Sequence, residues 1–235
     1  MKNFVFDLYG TLVDIRTDEY SEQFKTKYLK DLKRYGSDGT FFEKYYEALS
    51  PFSGFDEPDI IPVLQSAINA SGGGVTLAEA EDAALKFRKL STHRLKLYPK
   101  VKRLLKTLKA GGAKLYLLSN AQAVFTVYEL KKLGIFDLFD GIELSSDFGQ
   151  KKPSPLFFNR LIEKYSLNIG ETVFTGNDIS CDIVPSKAAG MYAVYFKSAI
   201  SPSADSLAEA QNIADFAVEG SFSAVAKRLV TLLYI

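Results

Sequence analysis

The chain has no tryptophan, one cysteine and one histidine among its 235 residues. A single thiol, Cys181, excludes an internal disulfide and fits a reducing compartment. The lone histidine, His93, has no partner histidine with which to build a metal site, and a surface position is expected for it. A dominant charge is lacking too. Lys and Arg number 29 against 28 Asp and Glu, a formal net charge of +1. That leaves no basic footprint for nucleic acid and no acidic tail, so any handling of anions must be local. No apolar run approaches the ~18 residues that a membrane span needs. Met1-Lys2-Asn3 leads directly into Phe4, without the cationic, apolar and cleavage regions of a signal peptide. A cytoplasmic protein with no nucleic-acid or membrane partner is expected.

What is present is ordinary for a soluble globular protein, with 47% hydrophobic and 24% charged residues. The length suits one α/β domain, or a core carrying an inserted subdomain. Residues 3–8 form an apolar run that ends near an acid, as in the buried centre of a parallel sheet. Further strands are predicted at 114–118, 141–144, 172–175, 191–196 and 214–218. Helices are predicted at 99–110, 124–133, 155–165, 181–189 and 222–233, with Gly111 and Gly190 as stop signals. This alternation predicts a doubly wound, mostly parallel, Rossmann-like sheet. Residues 15–95 break the rhythm. They are helical in pattern, rich in Tyr, Lys, Glu and Phe, and punctuated at 50–58 and 71–74. They exceed the ~30 residues of a simple crossover unit. We therefore expect an α/β core of 1–14 and 96–235, with 15–95 as a helical cap.

Four short segments fall at the ends of predicted strands, where open α/β sheets bind ligands. The first is Asp7-Leu8-Tyr9-Gly10-Thr11. A carboxylate there can attack an electrophile, because an Asp of reference pKa about 3.9 is ionised at neutral pH. Gly10 permits a sharp exit and lets backbone N–H groups approach an anion. The second is Ser119-Asn120, a hydroxyl and an amide donor. The third is Lys152-Pro153. The fourth runs from Gly176 through Asn177 and Asp178 to Asp182. Each alone is a common turn or cap; their order and their placement at successive strand ends are specific.

Together the segments resemble the haloacid dehalogenase-like hydrolases, over essentially the whole chain. Asp7 to Thr11 matches that family's Asp-x-Asp/Tyr-Gly-Thr nucleophile motif. Ser119 matches its second motif, Lys152 rather than Lys151 its third, and Gly176 to Asp182 the outline of its fourth. The resemblance implies that Asp7 forms an aspartyl intermediate which water then hydrolyses. Catalysis is assigned to Asp7, Thr11, Ser119 and Lys152, and contacts to the substrate's oxygens to Tyr9, Gly10 and Asn120. In phosphatase members a Mg²⁺ is bound by the nucleophile, the carbonyl two residues on, and the fourth motif. Those positions are here Asp7, Tyr9 and either Asn177 or Asp178, an all-oxygen set that suits Mg²⁺, with Asp182 as a supporting acid. A cap that closes over the nucleophile implies a small phosphorylated metabolite as substrate.

Two departures stand out. Tyr9 replaces the second Asp of phosphatases, which protonates the leaving alkoxide and contributes ~10²–10⁴ in rate. Asn177 replaces a metal carboxylate. Both resemble L-2-haloacid dehalogenases, in which a halide leaves without a proton or a metal. Ser180, however, stands where those enzymes carry an Asp, and neither Arg16 nor Arg34 sits in a matching halide-binding segment. Three readings follow: a Mg²⁺-dependent phosphatase first, a metal-independent dehalogenase second, and a weakly catalytic binding module third. Cys181 is expected to open a helix and pack, with a reactive thiol as the alternative. Tyr45, Tyr46, Phe52 and Phe55 are expected to fill the cap's own core.

Overall fold

A computed structural model describes residues 1–234. The order of elements is β1 (Asn3–Phe6), β2 (Val13–Thr17), α1 (Glu22–Leu32), α2 (Phe41–Leu49), α3 (Ile60–Ala70), α4 (Leu77–Ser91) and β3 (Thr92–Leu97). There follow α5 (Val101–Ala110), β4 (Lys114–Ser119), α6 (Ala123–Leu133), β5 (Gly141–Leu144), α7 (Ser145–Phe148) and α8 (Pro155–Lys164). The chain closes with β6 (Thr172–Gly176), α9 (Val184–Ala188), β7 (Tyr192–Lys197), α10 (Leu207–Ile213), β8 (Phe216–Glu219) and α11 (Phe222–Leu233).

Six strands form one sheet in the order β5-β4-β1-β6-β7-β8, and every neighbouring pair is parallel. Such a sheet must be covered on both faces, so its strands are apolar throughout. Phe4 and Phe6 point to the face packed by Leu104 and Leu105 of α5 and by Val225 and Leu229 of α11. Val5, between them, points to the opposite face with Phe157 and Leu161 of α8. The period-2 alternation of side chains thus divides one apolar strand between two cores. Chain order reverses at β1: the chain builds outward through β4 and β5, then returns to β1's other side with β6. The crevice at that reversal holds the carboxyl ends of β1, β4 and β6.

The region between β1 and α5 is built differently. Its four helices bury Phe24, Tyr28, Phe41, Leu64, Ile68 and Phe87 in a cluster of their own. Each start has a local reason. Ser21 caps α1 and Asp59 caps α3, while Thr76 and Glu79 form a reciprocal capping box on α4. A two-stranded antiparallel ribbon, β2 with β3, leads into and out of these helices. The ribbon is absent from the sequence reading, and residues 15 and 95, the expected boundaries, face each other across it. Opposite the ribbon, Asp56 bridges Gln150, the Glu57 N–H donates to the Gly149 carbonyl at 3.0 Å, and the Lys151 N–H donates to that of Phe55 at 2.8 Å. Gln122 reinforces this clasp, donating to Glu57 at 2.8 Å and to the Pro58 carbonyl at 2.9 Å, and accepting from the Ile60 N–H at 2.9 Å.

Some expectations need correction. The predicted 181–189 helix is a π-helical turn, Ile179–Ile183, followed by α9, because Asp178 caps the turn two residues earlier than expected. α10 was not predicted at all. Tyr46, Phe52 and Phe55 are exposed and do not fill a core. His93, Arg16 and Arg34 are exposed, in agreement with the surface positions expected for them. No helix among the described residues is long and apolar enough to cross a membrane.

Candidate active site

The first turn after β1 is a tight one. The Leu8 carbonyl accepts from the N–H groups of Leu12 at 2.8 Å and Val13 at 2.9 Å. Gly10 makes this possible, with φ at +89°. A Cβ there would also lie 2.3 Å from the Asn177 side chain, so only glycine lets the first and fourth motifs meet. The Gly10 N–H is committed to the Val13 carbonyl at 2.8 Å; the role expected of it, approach to an anion, falls to other groups.

Asp7, just beyond β1, receives three side chains. Ser119 Oγ donates to its Oδ1 at 3.2 Å, Lys152 Nζ to the same oxygen at 2.8 Å, and Thr11 Oγ1 to Oδ2 at 3.0 Å. All four residues are buried. Lys152 also reaches Asp182 Oδ1 at 2.6 Å. The other oxygen of Asp182 accepts the N–H groups of Asn177 at 3.0 Å and Asp178 at 3.1 Å, shaping the fourth loop from within. Gly176 leaves room for it, since a Cβ there would fall 2.4 Å from the Asp182 side chain. Burial alone would lower the Lys152 pKa, but Asp182 and Asp7 outweigh it and hold the ammonium well above the usual lysine range. Burial pushes Asp182 up; Lys152 opposes the shift and Asp7 adds to it. Two acids thus share one buried lysine, an arrangement with room for further positive charge.

Asn120 has a different task from the one expected. Its amide donates to the Lys152 carbonyl at 2.9 Å and accepts the Lys152 N–H at 2.7 Å, so it fixes the lysine's backbone. The Tyr9 side chain also turns aside. Its hydroxyl donates to Glu129 Oε2 on α6 at 2.5 Å and lies 3.2 Å from Thr126 Oγ1. Desolvation, with Glu129 adding and Arg88 opposing, raises this phenol far above its ordinary value. Arg88 of α4 completes the group, with Nε 2.7 Å from Glu129 Oε1 and its guanidinium 5.4 Å from the Tyr9 ring centroid. Sequence reasoning missed Arg88 and Glu129, because nothing in their local pattern separates them from surface charges on amphipathic helices.

The metal positions can be tested on their donors. One atom of the Asn177 side-chain amide lies 3.2 Å from Thr11 Oγ1. That atom also lies 3.2 Å from Asp7 Oδ2 and 3.1 Å from the Tyr9 carbonyl. All three neighbours are oxygens, so this is the place of the amide nitrogen, which donates to them. Turned the other way, the amide would offer its oxygen beside Asp7 and the Tyr9 carbonyl, three oxygens of the kind that hold a small hard cation. Asp178 Oδ1 instead accepts from the Cys181 N–H at 2.7 Å and Ser180 Oγ at 2.8 Å. No cluster of three or more His, Cys, Asp or Glu side chains suited to a metal occurs among the described residues. Cys181 lines the same cavity of about 210 Å³ as Asp7. Burial pushes its thiol up to about 11, against the lowering that a helix start would give.

A family model for haloacid dehalogenase-like hydrolases matches residues 1–190. The chain is 35% identical over 100 residues to the glyceraldehyde 3-phosphate phosphatase of Methanocaldococcus jannaschii, covering 43% of this chain and 44% of that protein. It is 35% identical over 114 residues to the phosphoglycolate phosphatase of Vibrio vulnificus, covering 48% and 50%. The chain thus spans about half the length of the curated relatives it matches. Its fold is that of a 2-haloacid dehalogenase from Pseudomonas syringae, with a TM-score of 0.68, 21% identity, and 100% and 98% of the chains covered. A phosphatase of Thermococcus onnurineus shares it too, with a TM-score of 0.64, 23% identity, and 97% and 98% covered.

Proposed function

The chain belongs to the haloacid dehalogenase-like hydrolases, and from that premise we propose that it is a Mg²⁺-dependent phosphatase of a small phosphorylated metabolite, working through an aspartyl intermediate on Asp7. The observation that carries this reading is the convergence of Thr11, Ser119 and Lys152 on the buried carboxylate of Asp7. Mg²⁺ held by Asp7, the Tyr9 carbonyl and an inward-turned Asn177 oxygen, with Asp178 nearby, would supply charge to the transferring phosphoryl oxygens.

The chain's own residues do the rest. Asp7 attacks phosphorus in line with the ester oxygen; the P–O bond breaks and the departing alkoxide takes its proton from water to become the alcohol. Lys152, Ser119 and Thr11 then turn from Asp7 toward the non-reacting oxygens, where charge accumulates. Asp182 keeps Lys152 in place and Asn120 holds its backbone. Water hydrolyses the acyl phosphate and restores Asp7. Tyr9 takes no part in proton transfer, because its hydroxyl is engaged by Glu129.

That engagement also favours a second reading, dehalogenation, in which no leaving-group acid is needed. A substrate panel separates the two. Phosphate release that requires Mg²⁺ and is lost with EDTA is expected. In Asp7→Asn it should fall by about 10³-fold or more. Full activity of Asp7→Asn would falsify the nucleophile assignment. EDTA-insensitive halide release from 2-chloropropionate would instead establish the second reading.

A further inference from the structure

A second cavity, of about 690 Å³, adjoins the one that holds Asp7, and Tyr9 and Asn120 line both. A leaving group attached to a phosphoryl bound at Asp7 extends into this space, so its walls determine which esters fit. Their charge is unusual for an enzyme acting on anions. Arg88 and Lys151 face Glu19, Asp56 and Glu57, two cations against three acids. Arg88 is already committed, to Glu129 at 2.7 Å and to Glu19 at 3.5 Å. Burial raises Glu19 and Glu57 above the ordinary carboxylate range, opposed by Arg88 and Lys151 respectively. Negative charge is therefore already disfavoured in this space. A second carboxylate or phosphate on the substrate would be desolvated among these acids, with Lys151, which also acts on Glu57, as the one cation left to meet it.

The uncharged part of the wall combines aliphatic side chains, Ile15, Leu49, Ile60 and Leu64, with aromatic ones. Tyr20 and Phe52, both exposed at the mouth, join Tyr45, Phe87 and Phe125 around the cavity. The faces of Tyr9 and Phe125 lie 5.4 Å and 5.3 Å from the Arg88 guanidinium. Arg88 thus already covers those two faces, and stacking on a flat ring falls to Tyr20 and Phe52 at the mouth, with apolar burial below them.

Resting on the phosphatase reading, we infer that the substrate is a phosphate monoester of an uncharged, ring-bearing alcohol, such as a nucleoside or a pyridine alcohol, and not of a hydroxy acid or a second phosphate. Specificity then lies in Glu19, which shares Arg88 with Glu129 and adds an acid to the wall, and in Phe52 at the mouth.

The test has two arms on the full chain. With Mg²⁺, uridine 5′-monophosphate and pyridoxine 5′-phosphate are compared with phosphoglycolate and phosphoglycerate. Calorimetric binding of the same esters to Asp7→Asn is measured beside it, without need of turnover. We expect kcat/KM and affinity at least about tenfold higher for the ring-bearing esters, the scale of one well-formed apolar contact. Phe52→Ala should reduce that ratio about threefold or more, and Glu19→Gln should narrow it by improving the acidic esters. Equal or better use of phosphoglycolate by the wild type overturns the inference and leaves the phosphatase reading intact. No turnover of any ester, with the ring-bearing ones still bound tenfold more tightly, overturns the phosphatase reading and keeps the cavity's preference. Neither turnover nor a difference in binding overturns both.

Discussion

Tyr9 sits two residues from Asp7, yet its hydroxyl is directed into a pair of charges on two helices. Its raised pKa and its bond to Glu129 make it a poor proton donor to an alkoxide. Replacing it by a carboxylic acid should restore that step. Tyr9→Asp is expected to raise turnover of alkyl phosphates by up to ~10²-fold, and of p-nitrophenyl phosphate much less, because nitrophenolate leaves without a proton. Equal effects on both would count against the missing-acid account. The motif residues themselves were legible: Asp7, Thr11, Ser119 and Lys152 meet within hydrogen-bond reach, because short motifs at strand ends fix backbone position. Side-chain direction was not legible. The pattern gave no sign that the Tyr9 phenol turns aside, that Asn120 serves the lysine's backbone, or that Asn177 rather than Asp178 approaches Asp7.

Among the elements, the strands and most of the helices could be read because apolar periodicity and glycine stops mark them. The ribbon and α10 could not. β3 is mostly polar and half-exposed, and α10 buries only Ala210, so neither carries a strong periodic signal. Glu143 on β5 illustrates how such elements are tied together. It accepts from Arg160 at 2.7 Å, Lys164 at 2.6 Å and Tyr165 at 2.9 Å, joining the edge strand to α8. Burial would raise its pKa, but the bonds from Lys164, Arg160 and Tyr165 prevail and hold it below the usual range. The sign follows from linkage. A depressed folded-state pKa contributes stability above the unfolded value, and that stability is lost as pH falls through the folded value. Glu143→Gln is therefore expected to be roughly 1–3 kcal/mol less stable at neutral pH. The gap should close in acid, as read from urea midpoints at pH 7 and at successively lower pH. A gap independent of pH would exclude the ionic account.

For the whole molecule, the helical segment touches the sheet domain through the ribbon, through the Arg88–Glu129 pair and through the clasp at residues 55–57. The clasp ends at Lys151, one residue before Lys152, so loosening it should be felt at Asp7. Gln122→Ala removes three hydrogen bonds from it, each worth ~1 kcal/mol net. Amide exchange at Glu57 and Lys151 is expected to accelerate by at least about tenfold, with β1 and β6 unchanged. Uniform acceleration would mean global destabilisation instead. The ribbon has a consequence of another kind. Thr17 pairs with Thr92, so the chain leaves the sheet domain and returns to it at neighbouring points. Its helices can lengthen, shorten or exchange one cavity wall for another while β1 and Asp7 keep their register. Chemistry and selectivity can therefore diverge at different rates within a single gene, and a transplanted segment needs to match the ribbon's two adjacent strands, a partner for Glu129 and the clasp.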